Sequence, residues 1–147
     1  MRLEDEPEFT EVEVALDSAC ARNVASKADF PNYVVVEGDG ARRGQEFVTA
    51  VGDTIRNEGE VAAAFLTQDK EFINSTFQIT AVTRPLWSVS QILDNLPADH
   101  EANFKRESAV IRAADGQVLA KFGRRGGLYV SMLKLRNPKH PGFQRQG

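Results

Sequence analysis

In this chain of 147 residues, few side chains able to do chemistry stand close together. The stretch "VEVALDSAC" runs from apolar, β-favouring residues straight into Asp17-Ser18-Ala19-Cys20, so a carboxylate, a hydroxyl and a thiol fall within four positions. A thiol nucleophile needs a base within reach. The two histidines, His100 and His140, sit in polar or proline-rich connections, and Cys20 reads as a small buried hydrophobe. One cysteine and two scattered histidines also make a poor zinc set, so neither a metal nor another cofactor is expected. In "VVVEGDGARRG" Gly38, Gly40 and Gly44 miss the G-x-G-x-x-G spacing, and a β-type run follows where a phosphate site needs a helix. Those glycines read as a turn. Taken alone, Asp17 too reads as a strand-ending turn residue; the order of elements around it changes that reading.

Val12, Val14 and Leu16 alternate with Glu11, Glu13 and Ala15, the period of a half-buried strand. Residues 23 to 26 fit a short second strand, and "YVVVE" (33 to 37) a third, stopped by "GDG". Phe47 to Val51 and Thr54 to Arg56 flank Gly52-Asp53, a two-residue turn with glycine first, as in a type II′ hairpin. "EVAAAFLT" and "EFINSTFQITAV" form two longer strands around Gln68-Asp69-Lys70. Only "SVSQILDNL" (88 to 96) has helical character, with Ser88 and Gln91 spaced as a capping box. "ADHEANFKRE" is a polar connection. Two strands about Asp115-Gly116 and a last strand at 127 to 135 complete the pattern. Many short strands, close turns and one short α-helix predict an all-β barrel or sandwich.

Length and composition fit one domain: 41% of residues are apolar and 27% charged. Residues 1–10 read as an acidic mobile lead-in, 11–136 as the domain, and 137–147 as a basic linker or tail. No apolar run approaches the ~18 residues of a membrane span. The polar N-terminus is not a secretory or mitochondrial signal, and the single cysteine excludes an internal disulfide. The expected setting is intracellular and reducing. The net charge of −3 hides an asymmetry, because no acidic residue follows Asp115 while Lys121, Arg124, Arg125, Lys134, Arg136, Lys139 and Arg145 do. A weak nucleic-acid contact at this basic end, or simply a solvated rim, is the expectation.

The whole order resembles the retropepsin-like aspartic proteases of retrotransposon polyproteins, most closely the Copia type. "ALDSACARNVAS" resembles the family's Asp-Ser-Gly-Ala segment, "VEGDGARRGQEFVTAVGDTI" its middle, "RPLWSVSQILDN" its "PLLSVSQL" segment, and "SAVIRAADGQVLAKFGRRGGLYVSMLKL" its ending. The likeness spans about residues 12 to 136. It implies a small closed, acid-protease-like β-barrel acting as a homodimer, in the cytoplasm or a retroelement particle. Asp17 from each subunit would activate a water against a polypeptide substrate, and Ser18 would help lock the two active-site loops. The hairpin 47 to 57 would be a flap with Val51, Gly52 and Asp53 at its substrate-contacting tip. Ala19 stands where the family has glycine, and a positive φ there would cost alanine about 1–2 kcal/mol. A non-catalytic barrel that binds peptide or nucleic acid is the alternative from a different functional class.

Overall fold

The computed structural model describes residues 7–49 and 51–140. In chain order the elements are β1 (Phe9–Asp17), β2 (Val24–Ala25), a 3-10 turn (Lys27–Asp29), α1 (Asp39–Arg42), β3 (Glu46–Val48), β4 (Thr54–Arg56), β5 (Gly59–Leu66), β6 (Phe72–Ile79), β7 (Leu86–Ser88), α2 (Val89–Asp94), β8 (Glu101–Phe104), β9 (Ser108–Arg112), β10 (Val118–Arg125) and β11 (Leu128–Arg136).

Six of these strands close into a barrel in the order β1-β7-β2-β6-β5-β11, with β11 pairing back onto β1. The all-β barrel expected from the sequence is therefore present. Closure needs β11 to serve two edges. One edge runs antiparallel to β1 from Phe9↔Arg136 to Leu16↔Tyr129. The other pairs with β5 at Lys134↔Leu66 and Leu135↔Phe65, and with β10 at its beginning. Beyond β10 the sheet continues through β9 to β8. The hairpin β3–β4 forms a two-stranded sheet of its own.

The alternation read in the sequence explains the barrel wall. Val12, Val14 and Leu16 of β1 point inward, while Glu11 is exposed and Glu13 half-buried. Inside, Phe30, Phe65, Phe77, Trp87 and Phe122 are buried and form a chain of ring contacts with centroids 5.3 to 6.3 Å apart. Side chains of this size each contribute about 1.5–3 kcal/mol on burial. The indole of Trp87 donates to Ser75 Oγ at 3.1 Å, so its N–H is satisfied inside the core.

Several local expectations give way. "YVVVE" is not a strand: only Val36 bridges to Glu60, and Val34 and Val36 are exposed. The "GDG" stop opens a second short helix, α1, instead of a turn. "ADHEANFKRE" contains the edge strand β8, held by its ladder to β9. β1 begins at Phe9, inside the stretch read as lead-in; of that stretch residues 1–6 lie outside the described residues, as do 141–147 of the tail. Asn137, the first residue of the expected tail, is buried, donating its N–H to Glu8 O and its Nδ2 to Pro7 O. None of the described helices is long and apolar enough to cross a membrane.

Candidate functional site

Asp17 is the last residue of β1, where that strand runs parallel to β7 with Asp17 opposite Ser88. The strand stops because the side chain turns back on the chain: Asp17 Oδ1 accepts the N–H of Ala19 at 2.8 Å. The carboxylate is half-exposed, and Ser18 and Ala19 are exposed beside it. The three residues thus share one surface turn. Ala19 is free of the backbone strain a positive φ would bring, since Lys70 alone among the described non-glycine residues has one.

Buried polar contacts hold this turn. Ser88 Oγ donates to Cys20 O at 2.6 Å, and Ser88 N–H donates to Asn23 Oδ1 at 2.8 Å. Asn23, 2% exposed, also donates through Nδ2 to Thr76 O and donates its own N–H to Gln91 Oε1. Ser88 caps α2 by accepting Gln91 N–H, but the expected capping box does not close. The Gln91 side chain goes to Asn23, because that buried N–H would otherwise lose its partner. Asn23 was missed by sequence reasoning; a polar residue opening a short inner strand was the only available hint. Cys20 Sγ donates to Arg22 O at 2.7 Å, and burial, with help from the Asp17 charge, pushes its thiol above the ordinary value. A thiol kept protonated is a weak nucleophile.

The hairpin tip differs from the two-residue turn expected. Thr49 N–H donates to Asp53 O, Gly52 N–H donates to Thr49 O, and Asp53 N–H donates to Thr49 Oγ1. Gly52 has φ +89°, so the reversal is a longer loop with glycine in the left-handed position. Val51 is 83% and Val48 75% exposed, two bare aliphatics on one hairpin. No hydrogen bond or ion pair joins Val51, Gly52 or Asp53 to Asp17, Ser18 or Ala19 among the described residues.

At the base of the hairpin lies a polar cavity of 270 Å³, bounded by Arg22, α1, Gln45, Glu60 and Gln78. Its floor is a chain of amides: Asn57 Nδ2 donates to Gln45 Oε1 and to Gln78 Oε1, and Gln78 Nε2 donates to Glu60. Gly40 explains the "GDG" sequence, because a Cβ there would collide with Gln45 and Asn57. At the rim, the Arg42 guanidinium holds the Asp39 carboxyl below its usual range.

No three or more His, Cys, Asp or Glu side chains gather into a metal-binding group among the described residues. The basic end is largely engaged: Lys121 pairs with Asp69 and Arg125 with Glu13, Arg136 stacks over Phe9 and Phe72, and Arg124 donates to Arg106 O and Gly126 O. Comparison with known proteins finds no matching family model, no similar curated protein and no similar solved structure.

Proposed function

We propose that this chain is an aspartic endopeptidase of the retropepsin-like type, acting as a homodimer on a retroelement polyprotein. The observation that carries the reading is Asp17 itself. It is a half-exposed carboxylate at the end of a barrel strand, opposite Ser88, on a turn whose Cys20 carbonyl accepts from Ser88, itself held by Asn23. In a homodimer such a site would present one carboxyl per subunit to the two-fold axis. Two carboxyls a few ångströms apart cannot both ionise, so they share a proton. One then takes a proton from a water while the other donates to the carbonyl oxygen of the peptide bond, with no covalent intermediate. The β3–β4 hairpin, with Val48 and Val51 bare, would close over an extended polypeptide.

Purified protein should cleave an unstructured peptide library in acid, about pH 4 to 6, where a dyad holds one proton. Asp17→Asn should abolish cleavage while leaving the melting curve in place. Asn23→Ala should lower activity by loosening the turn. Ala19→Gly should change the rate little, since alanine there is unstrained. Intact Asp17 dimers that cut nothing over this pH range would sink the endopeptidase reading. If they still bind peptide over the hairpin, the non-catalytic barrel is the reading to keep, and Val48 and Val51 favour it equally.

A further inference from the structure

The two edges of β1 are used unequally. Ala15 N–H donates to Pro85 O at 3.0 Å, so odd-numbered residues of this strand turn their backbone groups toward β7. Even-numbered residues face the other way, as the bond from Asn137 N–H to Glu8 O confirms. β11 covers the even-numbered edge from Phe9 to Leu16. β7 covers the odd-numbered edge only from Ala15 to Asp17. The N–H and C=O groups of Glu11 and Glu13 therefore point to a side where no strand is paired among the described residues. Beside them runs a groove of 440 Å³, walled by β1 on one side and by Ala28, Asp29, Pro31 and Thr83–Pro85 on the other. An unpaired edge next to an open groove is a template for one more strand.

The side chains define what fits. Glu11, Glu13 and Asp29 line the groove against a single cation, Arg84. Asp29 is occupied with the Ser26 N–H and hydroxyl, and Glu13 is paired with Arg125. Glu11 makes no ion pair among the described residues, although Lys134 is its neighbour across β11. Between the two glutamates, Val12 turns inward. A second copy of β1 would bring like charges face to face, which opposes self-pairing. A strand alternating cationic and apolar residues meets the glutamates with its cations and the Val12 side with its apolar residues.

We propose that the free edge of β1 at Glu11–Glu13 binds an extended basic peptide, alternating cationic and apolar residues, as an added β-strand. The site includes none of Asp17, Ser18 or Ala19, shares no lining residue with the cavity at the hairpin's base, and stands independently of the endopeptidase reading.

The probe is a fluorescent Lys-Val-Lys-Val-Lys-Val peptide, followed by anisotropy with full-length protein and by amide hydrogen exchange. Binding should protect the Glu11 and Glu13 amides. It should weaken about fivefold or more when the peptide backbone is N-methylated at every residue, which removes its inter-strand donors on both edges and leaves the charges. Glu11→Lys should weaken it similarly. Glu11→Pro removes a donor facing the groove and spares the β11 ladder, so it should abolish binding with the fold retained; if that variant does not fold, the methylated peptide decides alone. Equal binding of the methylated peptide, or of Glu-Val-Glu-Val-Glu-Val, would overturn the proposal. So would protection confined to the β3–β4 hairpin, or Glu11 and Glu13 amides already protected without peptide because the chain's own ends or a second copy fill the groove.

Discussion

Two hairpins of this protein share one turn and have opposite surroundings. In Thr49–Asp53 and in Thr67–Glu71, the threonine N–H donates to the carbonyl four residues on, the fourth residue donates back to the threonine carbonyl, and the threonine hydroxyl accepts the fifth N–H. The fourth residue is left-handed in both, Gly52 at φ +89° and Lys70 at φ +63°. Yet the second turn joins β5 and β6, eight-residue strands that form part of the barrel wall, with Val61, Ala63, Phe65, Phe77 and Ile79 buried. The first joins two three-residue strands with no buried residue in either. The same local device thus serves a rigid wall and a projecting arm. What separates them is how many side chains each strand can place in the core, and that sets how easily each opens.

The largest contrast should come from the core. Phe65→Ala removes a ring packed against Phe30, Phe77 and Trp87 and should cost about 3–5 kcal/mol in urea unfolding. Phe47→Ala, on a half-buried side chain of β3, should cost about 1 kcal/mol or less. Comparable losses at the two positions would erase the distinction between wall and arm.

Asn57 is where the arm meets the wall. It is 2% exposed and bonds to Gln45 before β3, to Gln78 on β6 and to the N–H of Gly59 at the start of β5. Asn57→Ala should therefore cost about 1–3 kcal/mol by leaving buried amides unpaired. Its signature should be faster amide exchange in β3–β4 than in β5–β6. Uniform acceleration would mean that Asn57 supports the barrel as a whole.

The turns themselves offer a reciprocal pair of substitutions. Gly52→Ala puts a Cβ at positive φ and should destabilise by about 1–2 kcal/mol, whereas Lys70→Gly should stabilise by up to about 1 kcal/mol. Matching signs at both sites would show that the turns are not equivalent.

The smallest effect belongs to Asp39 at the arm's base. Arg42 lowers its carboxyl below the ordinary 3.8, so any stabilisation is complete above that value and fades as pH falls through the lower folded one. The pair is fully exposed, so Asp39→Asn should leave the urea midpoint at pH 7 within error. A clear shift would mean that α1, and not only the amide chain, props up the arm.

Much of the barrel was legible because its signals are local. Alternation along β1, β5 and β6, the Asp115-Gly116 reversal, and the apolar segment running into α2 are set by neighbours in the chain. β8 escaped notice because "EANF" carries no strand pattern of its own and is held by β9. The reverse happened at "YVVVE", where β-branched residues found no strand to pair with beyond one bridge. At the candidate site Asp17-Ser18 stood out by type and order. Asn23 did not, since its partners come from β6, β7 and α2. The edge of β1 left unpaired among the described residues was equally invisible, because it exists only where β7 fails to extend.

By itself the sequence determined which residues alternate, where the chain reverses, and that Asp17 and Ser18 close an apolar strand. Those outcomes depend on backbone preference and side-chain polarity within a few residues. Only the tertiary structure decided that β11 would seal β1 into a barrel, that one of two like turns would sit in a wall and the other stand clear, and which polar groups would be buried together. Those outcomes depend on hydrogen-bond partners and apolar neighbours brought from distant parts of the chain, and no local pattern specifies them.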